Sequence, residues 1–310
     1  METSPTPATV ALAIRWAQAQ SLDRLDAQLL VLHALGRGEQ DRAWLFAHDT
    51  DALPEAAHTA LQATVLRRTA GEPLAYITGH KEFFGLDLQV DSRVLVPRPD
   101  TETLVEWALE LLLQKPCQTN AAPATTQAPR VIDLGTGSGA IALALKHTLP
   151  HLLVSAIDYS TDALVVARTN AQRLQLDVQF AQGNWLEGVH RQPYDLIVSN
   201  PPYIASADHH LAALEHEPLQ ALASGTDGLD DIRTIIGQAG AHLLPGGWLL
   251  LEHGYDQAPA VRALLAQAGL HHAQSRRDLA GTERCSGAQS ASTSSGANQS
   301  EARDSERARV

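Results

Sequence analysis

The order of apolar and polar positions divides the chain into a helical first part and a second part in which strands and helices alternate. Residues 8–70 are rich in alanine and leucine at helical spacing, with breaks at Gly36 and Pro54, and predict a bundle of four or five short helices. Residues 80–97 alternate apolar and polar side chains, which predicts a hairpin. From Val131 onward, short apolar runs alternate with helical patterns. This order predicts an α/β fold, a parallel sheet with helices on both faces.

The same patterns predict the domain boundaries. Thr101–Leu113 is an amphipathic helix that leads into the sheet, and the stretch after it is rich in Ala, Thr, Gln and Pro, which is typical of a mobile linker. Residues 290–300 contain no apolar side chain larger than alanine and predict a disordered end. The predicted division is residues 1–78 as a small helical domain, 79–98 as a connecting hairpin, 99–286 as the sheet domain with the linker 116–129 inside it, and 287–310 as a disordered tail.

Composition narrows the class of protein. The 310 residues are 44% hydrophobic, but the apolar runs are shorter than the roughly 18 residues of a membrane span. The N-terminus lacks the basic and apolar pattern of an export signal, and the two cysteines, Cys117 and Cys285, form neither a disulfide framework nor a metal motif. We therefore expect a cytoplasmic protein with no metal site. The net charge of −12 disfavours a nucleic-acid substrate.

The most informative motif is Asn200-Pro201-Pro202-Tyr203, which follows an apolar run of strand length. Prolines have no N–H group, so the Asn200 side-chain oxygen and the Pro201 carbonyl form a rim of acceptors without competing donors. Such a rim suits an –NH2 group, with Tyr203 over the flat face of the amide or base. An isolated Asn-Pro is as often a plain turn. Together with the loop described next, the motif indicates methyl transfer to a planar nitrogen.

A nucleoside site is predicted upstream. The apolar run from Val131 enters Gly135-Thr136-Gly137-Ser138-Gly139, which a helical pattern follows, and a second apolar run ends in Asp158. The loop lets main-chain atoms approach a ligand, and a carboxylate roughly 20 residues beyond it accepts ribose hydroxyls. Asn184 and Trp185 follow the next predicted strand, where they would flank the adenine, although core packing is an equally good reading of the tryptophan.

The loop alone does not separate a dinucleotide from S-adenosylmethionine. Its Gly-x-Gly-x-Gly spacing departs from the dinucleotide form Gly-x-Gly-x-x-Gly, and a hydride-transfer enzyme has no use for the rim at Asn200. Both features favour S-adenosylmethionine as the ligand. Holding the nitrogen, the methyl carbon and the sulfonium sulfur in line would supply much of the catalysis. Glu217 is a candidate proton acceptor, although a structural role at a loop is the favoured interpretation.

From residue 70 to about 285, the chain resembles the protein-glutamine N5-methyltransferases of peptide-chain release factors, the PrmC (HemK) type. Besides the two motifs above, the resemblance rests on Phe83–Leu86, Val94–Glu102, Glu217–Leu222, Asp227–Asp230 and Leu250–Gly254, in order and spacing. It implies a Rossmann-like methyltransferase sheet, an N-terminal substrate-recognition domain, S-adenosylmethionine as cofactor and class I release factors as protein partners. The implied substrate is the glutamine of a Gly-Gly-Gln motif.

The resemblance implies that Gly135, Thr136, Gly137, Ser138 and Gly139 hold the methionine part of the donor, Asp158 the ribose, Trp185 the adenine surroundings, and Asn200, Pro201, Pro202 and Tyr203 the glutamine amide. Asn200 is also expected to contact the donor, and Asn200, Pro201 and Tyr203 are the expected catalytic residues. Two positions depart from the family. Asn184 replaces a residue that is usually acidic, which removes charge assistance from an adenine contact. Cys285-Ser286-Gly287-Ala288-Gln289 stands where an apolar last strand is expected, which puts the edge of the sheet in question.

Other functions are compatible with parts of the pattern. A sister enzyme that methylates a glutamine of a ribosomal protein would share the chemistry. A DNA N6-adenine methyltransferase shares Asn200–Tyr203 but predicts a basic recognition region that this acidic chain does not show. A binding-only scaffold would tolerate loss of Asn200.

Overall fold

The computed structural model describes residues 8–114, 128–189 and 193–292. The linker 116–129 is therefore described only at its last two residues, and the tail 287–310 only as far as residue 292. Contacts within the chain divide it into two compact units. One is Met1–Lys81 with Val90–Ser92, and the other is Glu82–Gln89 with Arg93–Val310.

The first unit is a helical bundle, as the alanine- and leucine-rich pattern predicts. Its core is formed by residues such as Leu30, Leu32 and Leu61, which are fully buried. The side chain of Asp23 accepts a hydrogen bond from the Asp26 N–H at 2.8 Å and caps the second helix. The helices are α1 (Val10–Ala19), α2 (Arg24–Ala34), α3 (Arg42–Ala47), α4 (Glu55–Thr69) and α5 (Leu74–Thr78).

The second unit is built on a seven-stranded sheet with the order β5-β4-β3-β6-β7-β9-β8. The first five strands in this order are parallel, and β9 is antiparallel to both of its neighbours. The strands are β3 (Arg130–Leu134), β4 (Leu153–Asp158), β5 (Gln179–Gln182), β6 (Tyr194–Ser199), β7 (Leu243–Glu252), β8 (His271–Arg277) and β9 (Glu283–Gln289), and a separate two-stranded sheet pairs β1 (His80–Phe83) with β2 (Leu86–Gln89).

Helices cover both faces of this sheet because alternate residues of its central strands point in opposite directions. Val131 belongs to the core on one face and Ile132 to the core on the other, and Leu196 and Ile197 divide in the same way. The first core includes α6 (Glu102–Gln114) and α7 (Ala140–Thr148), and the second includes α9 (Asp230–Ala239) and α10 (Ala258–Gln267). Helix α8 (Thr161–Leu174) connects β4 and β5 along the chain. The predicted α/β fold is confirmed.

The last strand is formed in spite of its weak sequence pattern. Residues 287–289 belong to β9, so the predicted start of the disordered tail at residue 287 is wrong. The strand is made of small side chains because α6 lies close above it. A Cβ on Gly287 would be 3.0 Å from the Trp107 ring and 2.7 Å from the Leu249 carbonyl oxygen. Ser286 is fully buried and hydrogen-bonds His253 Nε2 at 2.7 Å.

Candidate functional site

The site lies where the connections of the parallel strands change direction. From β3 the chain moves outward to β4 and β5, whereas β6 pairs on the other side of β3. Leu134 and Ser199, the last residues of β3 and β6, are paired, and Ser199 Oγ donates to the Leu134 carbonyl at 2.6 Å. Such a position opens a crevice at the carboxyl ends of the strands. The glycine loop that follows β3 and the Asn-Pro-Pro-Tyr motif that follows β6 therefore meet.

A cavity of about 330 Å³ occupies this crevice. Its size is within the range of roughly 300–1,000 Å³ that is usual for sites of small ligands and cofactors. Its walls come from the segment 93–101 and from the loops after β3, β4, β5 and β6. Of the residues predicted from sequence, the cavity is lined by Gly135, Thr136, Gly137, Ser138, Asp158, Asn184, Trp185, Asn200 and Pro202.

The glycine loop allows a close approach to the ring of Trp185. Gly135 has φ of +71°, and a Cβ at this position would lie 3.1 Å from Trp185 Cζ3. An alanine would therefore meet both an unfavourable main-chain conformation and an aromatic ring. The loop ends at Gly139, which is not among the lining residues and caps the N-terminus of α7.

Asp158 stands at the end of β4 and fastens two loops of the site. Its Oδ2 accepts the Gly137 N–H and its Oδ1 the Ser160 N–H, both at 2.8 Å. Burial raises the pKa of this carboxyl, while the two main-chain hydrogen bonds oppose the shift. Because each carboxylate oxygen accepts more than one hydrogen bond, Asp158 retains capacity for a ligand hydroxyl.

Trp185 has φ of +53°, an uncommon conformation for a residue with a large side chain. The conformation turns its ring toward Gly135, and its Nε1 donates to Asp231 Oδ1 at 3.2 Å. Asp231, in the first turn of α9, also lines the cavity and is absent from our sequence-based predictions. The side chain of Asn184 donates from Nδ2 to Glu187 Oε2 at 3.2 Å, so its oxygen is the end that remains for a ligand.

The Asn-Pro-Pro-Tyr motif divides between the cavity and the protein interior. Asn200 and Pro202 line the cavity, whereas Pro201 and Tyr203 are not among the lining residues. Asn200 Nδ2 donates to Thr101 Oγ1 at 3.2 Å. The Tyr203 hydroxyl lies 3.5 Å from Glu252 Oε1 and its carbonyl accepts a hydrogen bond from Gln257 Nε2 at 3.0 Å. The proposed contacts of Pro201 and Tyr203 with a substrate amide stay predictions.

The polar residues of the segment Pro97–Glu102 each hold a different part of the second unit. Arg98 forms an ion pair with Glu217, a side chain that is 2% exposed. Asp100 lies 3.3 Å from Arg284, and Glu102 accepts a hydrogen bond from the Phe84 N–H at 3.0 Å. Glu217 also accepts the Val96 N–H at 3.1 Å. These bonds favour the structural role of Glu217 over a role as proton acceptor.

Two buried carboxyl groups near the site are not singled out by the sequence. Burial raises the pKa of Asp133 to about 7 and the pKa of Glu252 to about 7. Asp133 Oδ2 accepts the Thr136 hydroxyl at 2.6 Å, whereas among the described residues its Oδ1 and Glu252 Oε2 have no hydrogen-bond partner. In the sequence, each acid is visible only as a polar residue that ends or interrupts an apolar strand. The topology of the sheet then shows that both lie next to the cavity.

We found one group of possible metal ligands in the described part of the chain: Asp208, His209 and His210, whose ligand atoms lie within 4.8 Å of one another on the surface. Exposed groups of this kind are common without a metal. In the same residues, no helix is both long and apolar enough to cross a membrane.

Comparison with known proteins adds independent information. The family model of the methyltransferase small domain matches residues 110–265, and the model of the PrmC N-terminal domain matches residues 13–79. A Bordetella pertussis (strain Tohama I) protein named release factor glutamine methyltransferase is 52% identical over 269 residues, which cover 86% of this chain and 94% of the relative. An Escherichia coli (strain K12) protein of the same name is 41% identical over 275 residues, which cover 88% and 94%.

Among solved structures, the hMettl16 catalytic domain in complex with MAT2A 3'UTR hairpin 1 has a TM-score of 0.52 and 15% sequence identity, with 75% of this chain and 79% of that chain covered. At this identity the match supports the fold alone. It agrees with the parallel sheet and the flanking helices described above.

Proposed function

Because the chain belongs to the family of release factor glutamine methyltransferases, we propose that it methylates the side-chain amide nitrogen, N5, of the glutamine in the Gly-Gly-Gln motif of class I release factors, with S-adenosylmethionine as the methyl donor. One observation carries the proposal. The loop after β3, Asp158 and Asn200 line the same cavity. A nucleoside-binding set of residues therefore adjoins a set of acceptors for an –NH2 group.

The residues on the donor side suit S-adenosylmethionine. Asp158 retains acceptor capacity for ribose hydroxyls, and the ring of Trp185 offers an apolar surface beside the glycine loop. The oxygen of Asn184 is available to the amino group of the adenine. When bound, S-adenosylmethionine supplies an electrophilic methyl carbon.

The residues on the acceptor side address the weak point of the reaction, which is that an amide lone pair is delocalised. Asn200 accepts one N–H of the glutamine amide through its side-chain oxygen, and the Pro201 carbonyl accepts the other. Accepting both hydrogens increases electron density on nitrogen and aligns it with the methyl carbon. Arg98 and Asp100 are engaged in ion pairs, and Glu102 accepts a main-chain hydrogen bond. We therefore assign no side chain as general base and propose that water takes the proton.

The helical unit is proposed to recognise the protein substrate, with the boundary at residue 78 as expected from sequence. This agrees with the PrmC N-terminal match at residues 13–79. A release factor acts at the ribosome, and the proposed location of the enzyme is therefore the cytoplasm. The net charge of −12 speaks against nucleic acid as the substrate.

Labelled S-adenosylmethionine distinguishes the candidate functions. The full chain is incubated separately with a class I release factor, with the same factor carrying alanine in place of the Gly-Gly-Gln glutamine, with ribosomal proteins, and with duplex DNA. We expect label in the unmodified release factor alone. Label in a ribosomal protein or in DNA, or undiminished label in the alanine variant, would contradict the proposal.

A further inference from the structure

Glu252, at the end of β7, is a buried carboxyl with no role in the reaction as described so far. It is 1% exposed, and its neighbours include Tyr203 of the Asn-Pro-Pro-Tyr motif and Thr101, which bonds Asn200. The Tyr203 hydroxyl lies 3.5 Å from its Oε1, and a hydrogen bond from the Thr101 hydroxyl holds the pKa of this carboxyl below the value that burial alone would give. A buried carboxyl costs free energy unless it is paired or hydrogen-bonded. The hydroxyl groups of Tyr203 and Thr101 are therefore its partners.

Thr101 connects this carboxyl to the cavity. It is 4% exposed and its hydroxyl oxygen accepts a hydrogen bond from Asn200 Nδ2 at 3.2 Å. A hydroxyl has one hydrogen to donate and lone pairs to accept with. When the hydrogen of Thr101 is directed at Glu252, the lone pairs are what Thr101 offers to Asn200. The amide of Asn200 must then present its nitrogen to Thr101.

The orientation of the Asn200 amide decides whether the site can bind an –NH2 group. With Nδ2 toward Thr101, the opposite end of the amide is Oδ1, an acceptor. In the reverse orientation the cavity would meet Nδ2, a donor, and two –NH2 groups would face each other without a hydrogen bond. The two orientations of an amide have nearly the same shape, so a hydrogen-bond partner of fixed polarity is needed to select one.

We propose that Glu252 is a positioning residue that fixes which end of the Asn200 amide faces the substrate. Its carboxyl takes the hydrogen of Thr101, Thr101 therefore accepts from Asn200, and Asn200 presents its oxygen to the substrate nitrogen. Tyr203 donates to the same carboxyl and holds the other end of the Asn-Pro-Pro-Tyr motif. The inference rests on the proposed function, since the –NH2 group is that of the substrate glutamine.

The charged and titratable neighbours of Glu252 agree with this role. Asp100 raises the pKa of its carboxyl and Arg284 lowers it, and these two side chains form an ion pair with each other. Tyr203 and Cys285 also adjoin Glu252, and burial raises the pKa of each of them well above its ordinary value. Both therefore stay protonated, and the hydroxyl of Tyr203 remains a donor to the carboxyl.

The test uses the full chain, S-adenosylmethionine and a Gly-Gly-Gln release factor. Thr101→Val keeps the shape and removes the hydroxyl, whereas Thr101→Ser keeps the hydroxyl. Glu252→Gln introduces a donor that can reverse the polarity of Thr101. Thr148→Val is the control, because Thr148 lies at the end of α7, is not among the residues that line the cavity, and its hydroxyl bonds the Ala144 carbonyl within its own helix at 2.9 Å.

We expect Thr101→Val and Glu252→Gln to lower kcat on the order of 10–100-fold, as loss of a supporting hydrogen bond to a site residue does at metal sites. The affinity for S-adenosylmethionine should stay unchanged, and Thr101→Ser should regain most of the turnover. Thr148→Val should turn over like the unmodified protein. As a readout without turnover, the side-chain NH2 protons of Asn200 in protein labelled with 15N-asparagine should exchange slowly with solvent, and faster in Thr101→Val.

The outcomes separate the two proposals. If the unmodified protein labels no glutamine, the proposed function fails. If it does and Thr101→Val matches it in kcat, or Thr101→Ser is no better than Thr101→Val, the positioning role is overturned. Should Glu252→Gln fail to fold, as judged by its melting curve, the comparison of the two Thr101 variants decides alone.

Discussion

Replacing Asn200 by alanine tests the acceptor side of the site most directly. The change removes the oxygen proposed to orient the glutamine nitrogen and the 3.2 Å hydrogen bond from Nδ2 to Thr101. The second loss is one part-buried neutral hydrogen bond, about 0.5–1.5 kcal/mol of stability. The first is one preorganised polar contact in the transition state, worth about 2.7–4 kcal/mol, so kcat should fall about 10²–10³-fold. Affinity for S-adenosylmethionine should change only modestly.

Asn200→Asp is the subtler perturbation. The aspartate keeps an oxygen toward the substrate, but its second oxygen replaces Nδ2 opposite Thr101 Oγ1. Two carboxyl groups, the new one and Glu252, would then compete for the single hydrogen of Thr101. We expect turnover between that of the unmodified protein and that of Asn200→Ala.

The assay is transfer of labelled methyl groups to a Gly-Gly-Gln release factor at saturating donor, with donor affinity measured separately by calorimetry. Gln172→Ala, which removes an exposed amide on α8, serves as the control for loss of a side-chain amide. Near-normal turnover of Asn200→Ala would show that the motif does not orient the substrate. Loss of donor binding instead of turnover would place Asn200 on the donor side of the cavity.

Three further predictions concern the donor side, the tail and pH. Asp158→Ala should weaken S-adenosylmethionine binding by about 1.5–3 kcal/mol in calorimetry, and the exposed Asp162→Ala should not; equal affinities would exclude Asp158 from the donor site. A stop after residue 292 should preserve the melting temperature and turnover. A stop after residue 286 removes three paired residues of β9 and should lower the melting temperature. A large loss of melting temperature or turnover in the protein that ends at residue 292 would refute this. The pKa of Asp133 is raised to about 7, so the folded protein keeps a proton that the unfolded chain releases near pH 4, and this stabilisation is lost as pH rises through about 7. Asp133→Asn should therefore remove about 2–3 kcal/mol of the decline in unfolding free energy between pH 5 and 8. Denaturant titration against the control Asp162→Asn measures this decline, and an unchanged dependence on pH would contradict the assignment.

The sequence is most informative where a local pattern and its physical cause coincide. Buried parallel strands are continuous apolar runs, so β3 and β6 are recognised directly, and the glycine loop marks the turn between β3 and α7. The predicted helix Thr101–Leu113 corresponds to α6, Glu102–Gln114. Because the carboxyl ends of parallel strands lie at the same edge of a sheet, the loop and Asn200 could both be placed at that edge from sequence. That they meet follows from the pairing of β3 with β6.

Contacts between residues far apart in the chain could not be predicted in this way. Asp231 bonds the indole of Trp185, and Thr101 bonds Asn200 across 99 positions of sequence. A threonine in a Pro-rich segment and an aspartate in the first turn of a helix have common local uses, namely turns and helix ends. Only the folded chain shows that their side chains face the cavity. Glu252 likewise reads as the polar end of an apolar strand.

The last strand shows how a sequence that looks unlike a strand contributes to the site. Strand propensity describes an ordinary half-buried surface, whereas β9 lies between β7 and β8 with the ring of Trp107 close above Gly287. Small side chains are what this space admits. Cys285 pairs with Glu252, and Arg284 reaches Asp100, the neighbour of Thr101. Strand β9, which the sequence left in question, therefore contacts both Glu252 and the turn that carries Thr101, the two groups proposed to orient Asn200. Shortening this strand should disturb catalysis as well as stability.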